Sequence, residues 1–340
     1  MGGLNGLEKA DVLFHNLVAE EKAPGLAVII LDKGKKVLQK GYGFADFESR
    51  NKVDPKHTVF RIASISKCIT GLALGKMVED DIVDLDESFY TYVPDYPKKK
   101  YDFTLRQLAS HTAGIRGYRG KEFALNQDYS IKDGIEVFKN DPLFFEPGTG
   151  YLYNSFDFVL LSLAMQEASG ISFDRYIEEN ILMPLGLTNT FPPQKSVRPS
   201  AVESIAQFYT KRSLSFRKAV EVNNAYKLAG GGYLSTCEDV AKLGQGILER
   251  KLLKKETYDQ LLTSQMVNGK STYYGLGFQV SRDGNDRAFV GHVGSSVGAY
   301  TNLFVYPEQE KVVSILINCT DPKVQSVLDE AIDAIFDSKV

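Results

Sequence analysis

The sequence has few of the features that mark a membrane, metal-bound or disulfide-stapled protein. No apolar run in its 340 residues approaches the roughly 18 needed to span a bilayer. Its amphipathic start, with Leu7, Phe14, Leu17 and Val18, is not a signal peptide. Cysteines number three, Cys68, Cys237 and Cys319, an odd and widely spaced set that offers neither a disulfide framework nor a zinc pattern and reads as small buried hydrophobes. The four histidines, His15, His57, His111 and His292, show no metal-ligand spacing, so neither a metal nor another cofactor is expected. An excess of one charge is missing as well. The formal net charge is −3 with acids and bases interspersed, which gives no reason to expect a nucleic-acid partner or a strongly acidic substrate. The one basic run, Lys98-Lys99-Lys100, reads as a solvated loop. A soluble protein with no membrane span is expected, extracytoplasmic if an export signal once preceded Met1-Gly2-Gly3 and cytoplasmic otherwise; the oligomeric state is left open.

What is present is a chain long enough for one large domain or two intimate ones. After a first helix near residues 4–21, GLAVIILD (Gly25–Asp32) and Lys36–Phe44 read as strands of a hairpin around Asp32-Lys33-Gly34-Lys35. The 3.6-residue pattern then predicts helices over Ile65–Val78, Thr104–His111, Phe156–Ala168, Phe173–Leu182 and Thr236–Glu249. From Tyr273 onward short strands return, GLGFQVS, AFVGHV, AYTNLFVYP and KVVSILINC, followed by an amphipathic helix over Val324–Phe336. The expected fold is α+β. Residues 1–63 and 270–340 together form an antiparallel sheet flanked by the N- and C-terminal helices, residues 64–269 form a mostly helical region, and a site is expected in the cleft between them.

Chemistry is suggested by FRIASISK, residues 60–67. Ser64 and Lys67 lie three apart at the head of a helix whose apolar positions are Ile65, Cys68, Ile69, Leu72, Ala73 and Met77, so the two share a face that is not the plainly apolar one. A serine hydroxyl needs a neighbouring base, and a desolvated lysine is one because its pKa falls on burial. The helix N-terminus adds backbone N–H groups that favour developing negative charge. The plain alternative is a serine N-cap, and the same spacing recurs at Ser215-Phe-Arg-Lys218, which reads as surface. Gly294-Ser-Ser-Val-Gly298 matches the hydrolase elbow pattern, but Ser296 lies between two strand-like runs and no histidine follows it, so an elbow is not expected. PGTGYLYNS, residues 147–155, sets tyrosines in a turn before a helix, and GHVGS, residues 291–295, sets a histidine on a strand. Taken singly, these suggest aromatic packing by Tyr151 and Tyr153 and a half-exposed strand histidine.

In order along the chain, PGLAVII, GYGFAD, VFRIASISK, VDLDES, TLRQLASHTAGI, EPGTGYLYNS, PLGL, AGGGYLST, YGLGF and GHVGSSVGAY resemble the serine β-lactamase and penicillin-binding-protein superfamily. The nearest branches are its class C-like, family VIII carboxylesterase and D-aminopeptidase members. The resemblance implies that Ser64 is the acylated nucleophile, Lys67 its proton partner, and Tyr153 a base on acylation and an acid toward the leaving group. It implies an oxyanion hole from the backbone N–H groups of Ser64 and Ser295, and substrate contacts from Ser155, His292 and Gly294. Two departures stand out. Ser155 occupies the place of the family's asparagine, with Asn154 displaced by one, and His292 replaces the lysine of Lys-Thr-Gly by a group mostly neutral near pH 7. Both weaken the grip on a β-lactam. The implied function is a metal-free serine hydrolase acting through an acyl-enzyme on a small ester or short peptide-like amide, with weak or no β-lactamase activity. The alternatives are a penicillin-binding carboxypeptidase or β-lactamase, and a non-catalytic binding or assembly module on the same fold.

Overall fold

A strand with no polar residue between its ends has to be buried on both faces, and Gly25–Asp32 is such a strand. In the computed structural model, which describes residues 6–193, 204–213 and 215–337, it lies inside a seven-stranded antiparallel sheet. In spatial order the strands are Gln279–Arg282, Ala288–Ser296, Ala299–Tyr306, Lys311–Ile317, Gly25–Asp32, Lys35–Asp46 and Asn51–Lys52. Alternate residues of one strand serve different cores. Leu26, Val28 and Ile30 pack with Phe14 and Leu17 of the helix Gly6–Ala19 and with Leu328 and Ile332 of the helix Gln325–Phe336. Ala27, Ile29 and Leu31 face the opposite core with Leu243 and Ile247. The hairpin turns on Lys33 and Gly34, both at positive φ (50° and 75°), as a two-residue connection of matching twist requires. The expected α+β architecture with flanking terminal helices is the one the chain adopts.

Three details differ from the expectation. The helix Cys237–Leu248 falls within the segment assigned to the helical region, yet it covers the sheet. Gly244 permits this, since a Cβ there would sit 2.4 Å from Val312 Cγ1. The predicted helix over Phe173–Leu182 is α-helical only to Ile177 and continues as a wider π turn over Glu178–Leu182. Lys99 is not a freely solvated residue: its Nζ donates to the carbonyls of Lys139 and of Asp141 (2.8 Å), tying two loops together.

Two short strands, Thr58–Arg61 and Leu234–Thr236, pair antiparallel with Phe60 opposite Ser235. This pairing delivers the chain into the helix Ser66–Glu79, which is buried continuously from Ser66 to Gly75. The face shared by Ser64 and Lys67 is therefore no solvated stripe, because protein surrounds this helix on every side. Among the described residues no helix is long and apolar enough to cross a membrane.

Close approach at Gly71 makes the central position of that helix possible. A Cβ on Gly71 would lie 2.5 Å from the carbonyl oxygen of Leu276, a backbone atom with little room to retreat. Gly71→Ala is expected to destabilise the fold by about 1–3 kcal/mol through overpacking, in spite of alanine's better helix propensity. Gly284→Ala, with nothing within 4 Å of the added carbon, should stay within about 0.5 kcal/mol of wild type. Urea titration of both variants checks the pair, and equal midpoints would contradict the close contact.

Candidate active site

The turn carrying Ser64, Ala63–Ile65, is held by segments distant in sequence. Ile62 N–H donates to Tyr233 O at 3.1 Å, and Thr301 Oγ1 donates to Ile62 O at 3.0 Å. Ala63 takes a left-handed φ of 47°, an uncommon conformation for a residue with a side chain. Gly294 lets the neighbouring strand press against it: a Cβ there would lie 2.2 Å from Thr301 Oγ1 and 2.9 Å from Ala63 Cβ. Ser66, the other serine of the motif, is buried and its Oγ accepts from Tyr233 N–H at 3.3 Å.

Two side chains converge on Ser64. The Tyr153 hydroxyl donates to Ser64 Oγ at 2.8 Å and Lys67 Nζ donates to it at 3.2 Å. Lys67 Nζ also donates to Gly230 O at 2.6 Å and has no carboxylate in ion-pair contact among the described residues. Burial drives the Lys67 pKa down to about 7, against smaller opposing effects of Cys68 and Asp157. The Tyr153 ring is 41% exposed along the cleft while its hydroxyl points inward, and desolvation of that hydroxyl holds it protonated well beyond the ordinary tyrosine range. Tyr151, its neighbour, is packed beside His111 and Tyr274, with ring centroids 6.3 Å away in each case.

The remaining sequence-predicted residues divide. Ser64, Ser155 and Ser295 line one cavity of about 270 Å³, closed on another side by Gly230 and Gly231. Asn154 turns into the protein, its Nδ2 donating to Ile115 O (3.1 Å), Leu152 O (2.9 Å) and Asp157 Oδ2 (2.7 Å). Gly294 and His292, expected at the substrate, do not line that cavity. His292 is 1% exposed with both ring nitrogens occupied: Nδ1–H donates to Val293 O at 2.6 Å, and Nε2 accepts from Tyr274 OH at 2.9 Å. Burial, with the nearby charge of Lys67, lowers its pKa to about 3 and keeps it neutral. The rings of Tyr153 and Tyr274 cover it because alternation along its strand turns it toward the core. Of the rival motifs, Ser215–Lys218 is an exposed strand, and Ser296 borders the cavity but ends a strand with no helix after it, so it forms no elbow.

Sequence reasoning did not single out the pair behind Tyr153. His111 and Asp157 are fully buried, with His111 Nδ1 and Asp157 Oδ2 at 2.8 Å. The His111 ring packs 4.5 Å from Tyr153 and 4.8 Å from Tyr274 between centroids. Burial pushes the Asp157 carboxyl well up and the His111 imidazole well down. The block TLRQLASHTAGI contains this histidine, but without its partner 46 positions on it gives no sign of the pair. Among the described residues no group of His, Cys, Asp and Glu is arranged to hold a metal ion.

Comparison with known proteins agrees with this architecture. Human serine beta-lactamase-like protein LACTB, mitochondrial, is 30% identical, with 89% of this chain and 72% of the relative covered. The octameric penicillin-binding protein homologue from Pyrococcus abyssi superposes with a TM-score of 0.84 at 25% identity, over 97% of this chain and 77% of that one. The D-amino acid amidase from Ochrobactrum anthropi SV3 superposes with a TM-score of 0.85 over 98% and 99% of the two chains; at 19% identity it shows the fold alone. The family model described as Beta-lactamase runs over residues 10–336, from the first helix to the last, with the Ser64 turn enclosed between them. Kinship on that scale makes the chain a member of the Beta-lactamase family, and with it an enzyme of the serine hydrolase class.

Proposed function

We propose that the chain hydrolyses a small ester or a short peptide-like amide through an acyl-enzyme on Ser64. The observation that carries this reading is the convergence of a lysine titrating near neutrality and a protonated tyrosine on one serine oxygen. Neutral Lys67 accepts the Ser64 proton as Oγ attacks the substrate carbonyl carbon, and the resulting oxyanion is met by the backbone N–H groups of Ser64 and Ser295. Tyr153 gives its proton to the departing alkoxide or amine, and the proton that Lys67 took from Ser64 then passes to the tyrosinate. Water then attacks the acyl carbon, the same groups return the proton to Ser64, and the carboxylic acid leaves.

Weak β-lactam turnover fits the same geometry. Asn154 is committed to the helix start and His292 to Tyr274, so neither offers the substrate amide or carboxylate contact expected of a β-lactamase. A screen across p-nitrophenyl esters, D- and L-aminoacyl p-nitroanilides and a chromogenic cephalosporin tests the assignment. Ester or anilide turnover should exceed cephalosporin turnover, and steady cephalosporin hydrolysis at the ester rate would overturn the substrate class. Ser64→Ala should abolish both fluorophosphonate labelling and turnover, whereas Ser215→Ala should label like wild type.

The protonation states fix the sign of the pH dependence. Lys67 works when neutral and its pKa lies at about 7, so kcat/KM for a neutral ester should rise as pH increases through 7 and then level. Tyr153 stays protonated across that range and imposes no early fall. Lys67→Ala and Tyr153→Phe should each lower kcat by ~100-fold or more, with the double variant falling short of the product of the two losses because they act as a unit. A pH profile flat from 5 to 9, or strictly multiplicative losses, would contradict this division of roles.

A further inference from the structure

The cavity beside Ser64 contains a second lysine that takes no part in the chemistry above. Lys227 is 7% exposed and lines the same space of about 270 Å³ as Ser64, Ser155 and Ser295. An ammonium has three donors. One Lys227 donor goes to Phe123 O at 2.8 Å, the group lies over the Tyr118 ring at 5.0 Å, and among the described residues no carboxylate pairs with it. Neither does any aspartate or glutamate line the cavity. Arg61 adds to the imbalance, since its Nη1 donates to the carbonyl of Val297, a wall residue, and its guanidinium stacks on Phe208 at 4.0 Å without a carboxylate partner among the described residues.

Two more wall residues are incompletely satisfied. Ser296 Oγ and Asn224 Oδ1 are buried polar atoms with no partner among the described residues. The Ser296 hydroxyl can donate, and the Asn224 carboxamide can present its N–H when turned over. A buried cation left without a counter-charge is costly, and buried polar atoms are ordinarily paired, so this wall is incomplete without an anion.

We infer that the cavity binds a carboxylate on the acyl part of the substrate, so that the enzyme prefers anionic esters and amides: half-esters of short dicarboxylic acids, or peptides with an acidic side chain beside the scissile bond. This rests on the hydrolase reading and deepens it. The volume suits a chain of a few carbons, and Lys227 supplies the charge-assisted hydrogen bond that fixes its end. Burial and the neighbouring charges of Arg61 and Lys67 press the Lys227 pKa down to about 7, a penalty that an arriving carboxylate relieves.

The test measures kcat/KM for mono-p-nitrophenyl glutarate and p-nitrophenyl butyrate on wild type, Lys227→Met and Lys227→Arg. The glutarate-to-butyrate ratio should fall at least ~10-fold in Lys227→Met and recover in Lys227→Arg. Taken from one preparation, the ratio does not depend on how much of the protein is folded. An unchanged ratio overturns the anionic subsite. Should Lys227→Met give no soluble protein, competition on wild type decides: glutarate should inhibit butyrate hydrolysis at a concentration ~10-fold lower than glutaramide, and equal potency overturns the proposal. Ser64→Ala separates the two claims, because turnover surviving that change removes the hydrolase reading itself, whereas Ser64-dependent turnover with an unaltered ratio removes only the subsite.

Discussion

Burying an ammonium without a carboxylate beside it costs several kcal/mol, and the architecture around Lys67 is organised by that cost. Its nearest acceptor is the Gly230 carbonyl, presented by a glycine-rich turn that places no side chain between lysine and cavity. The same burial that opposes the charge suits the lysine to the proposed role of base, because it lowers the pKa to about 7. The helix bearing it is enclosed on all sides, and enclosure requires small residues at the crossing points: Gly71 against Leu276 and Gly277 against the Lys67 carbonyl itself. A paired carboxylate would have cheapened the burial and restored the lysine to a permanent cation, useless as a base.

Polar groups behind the cleft carry a related cost. His111, Asp157, Tyr274 and His292 form a buried layer under Tyr153, and within it His111 Nε2 and Asp157 Oδ1 have no partner among the described residues. Each such atom costs about 1–3 kcal/mol. What the layer supplies in exchange is position. The Tyr153 ring rests on His111 and His292, so its hydroxyl reaches Ser64 from a fixed direction while the outer edge of the ring stays open to the cleft.

The parts of this arrangement legible in the sequence are those written in local patterns. GLAVIILD read as a hairpin strand, and the terminal helices announced themselves by periodicity. Ser64, Lys67 and Tyr153 were legible because ordered motifs set them in a family pattern, although nothing in the motifs said that the lysine is enclosed on every side. Other parts depend on contacts that leave no local trace. The pairing of Phe60 with Ser235 joins segments of three or four residues across the middle of the chain, too short for a period to be seen. His292 looked like a cleft residue because its motif position suggested one, and only the strand's alternation and Tyr274 turn it inward. Lys227 was indistinguishable from a surface lysine, and a net charge near balance concealed a local cationic wall.

The clamp on the Ser64 turn has a consequence for the order in which the protein comes to life. Ile62 is gripped from one side by Tyr233 and from the other by Thr301, and Gly294 closes on Ala63 from the strand paired with that of Thr301. All three lie far downstream of the serine they steady. A growing chain leaving the ribosome therefore contains Ser64 early and the full clamp on its turn late: until the residues around 301 have emerged and returned to the sheet, the contacts from Thr301 and Gly294 are missing. Contacts of such long range make folding slow, and a fragment that ends before Gly294 lacks two of the three groups that shape the Ser64 turn.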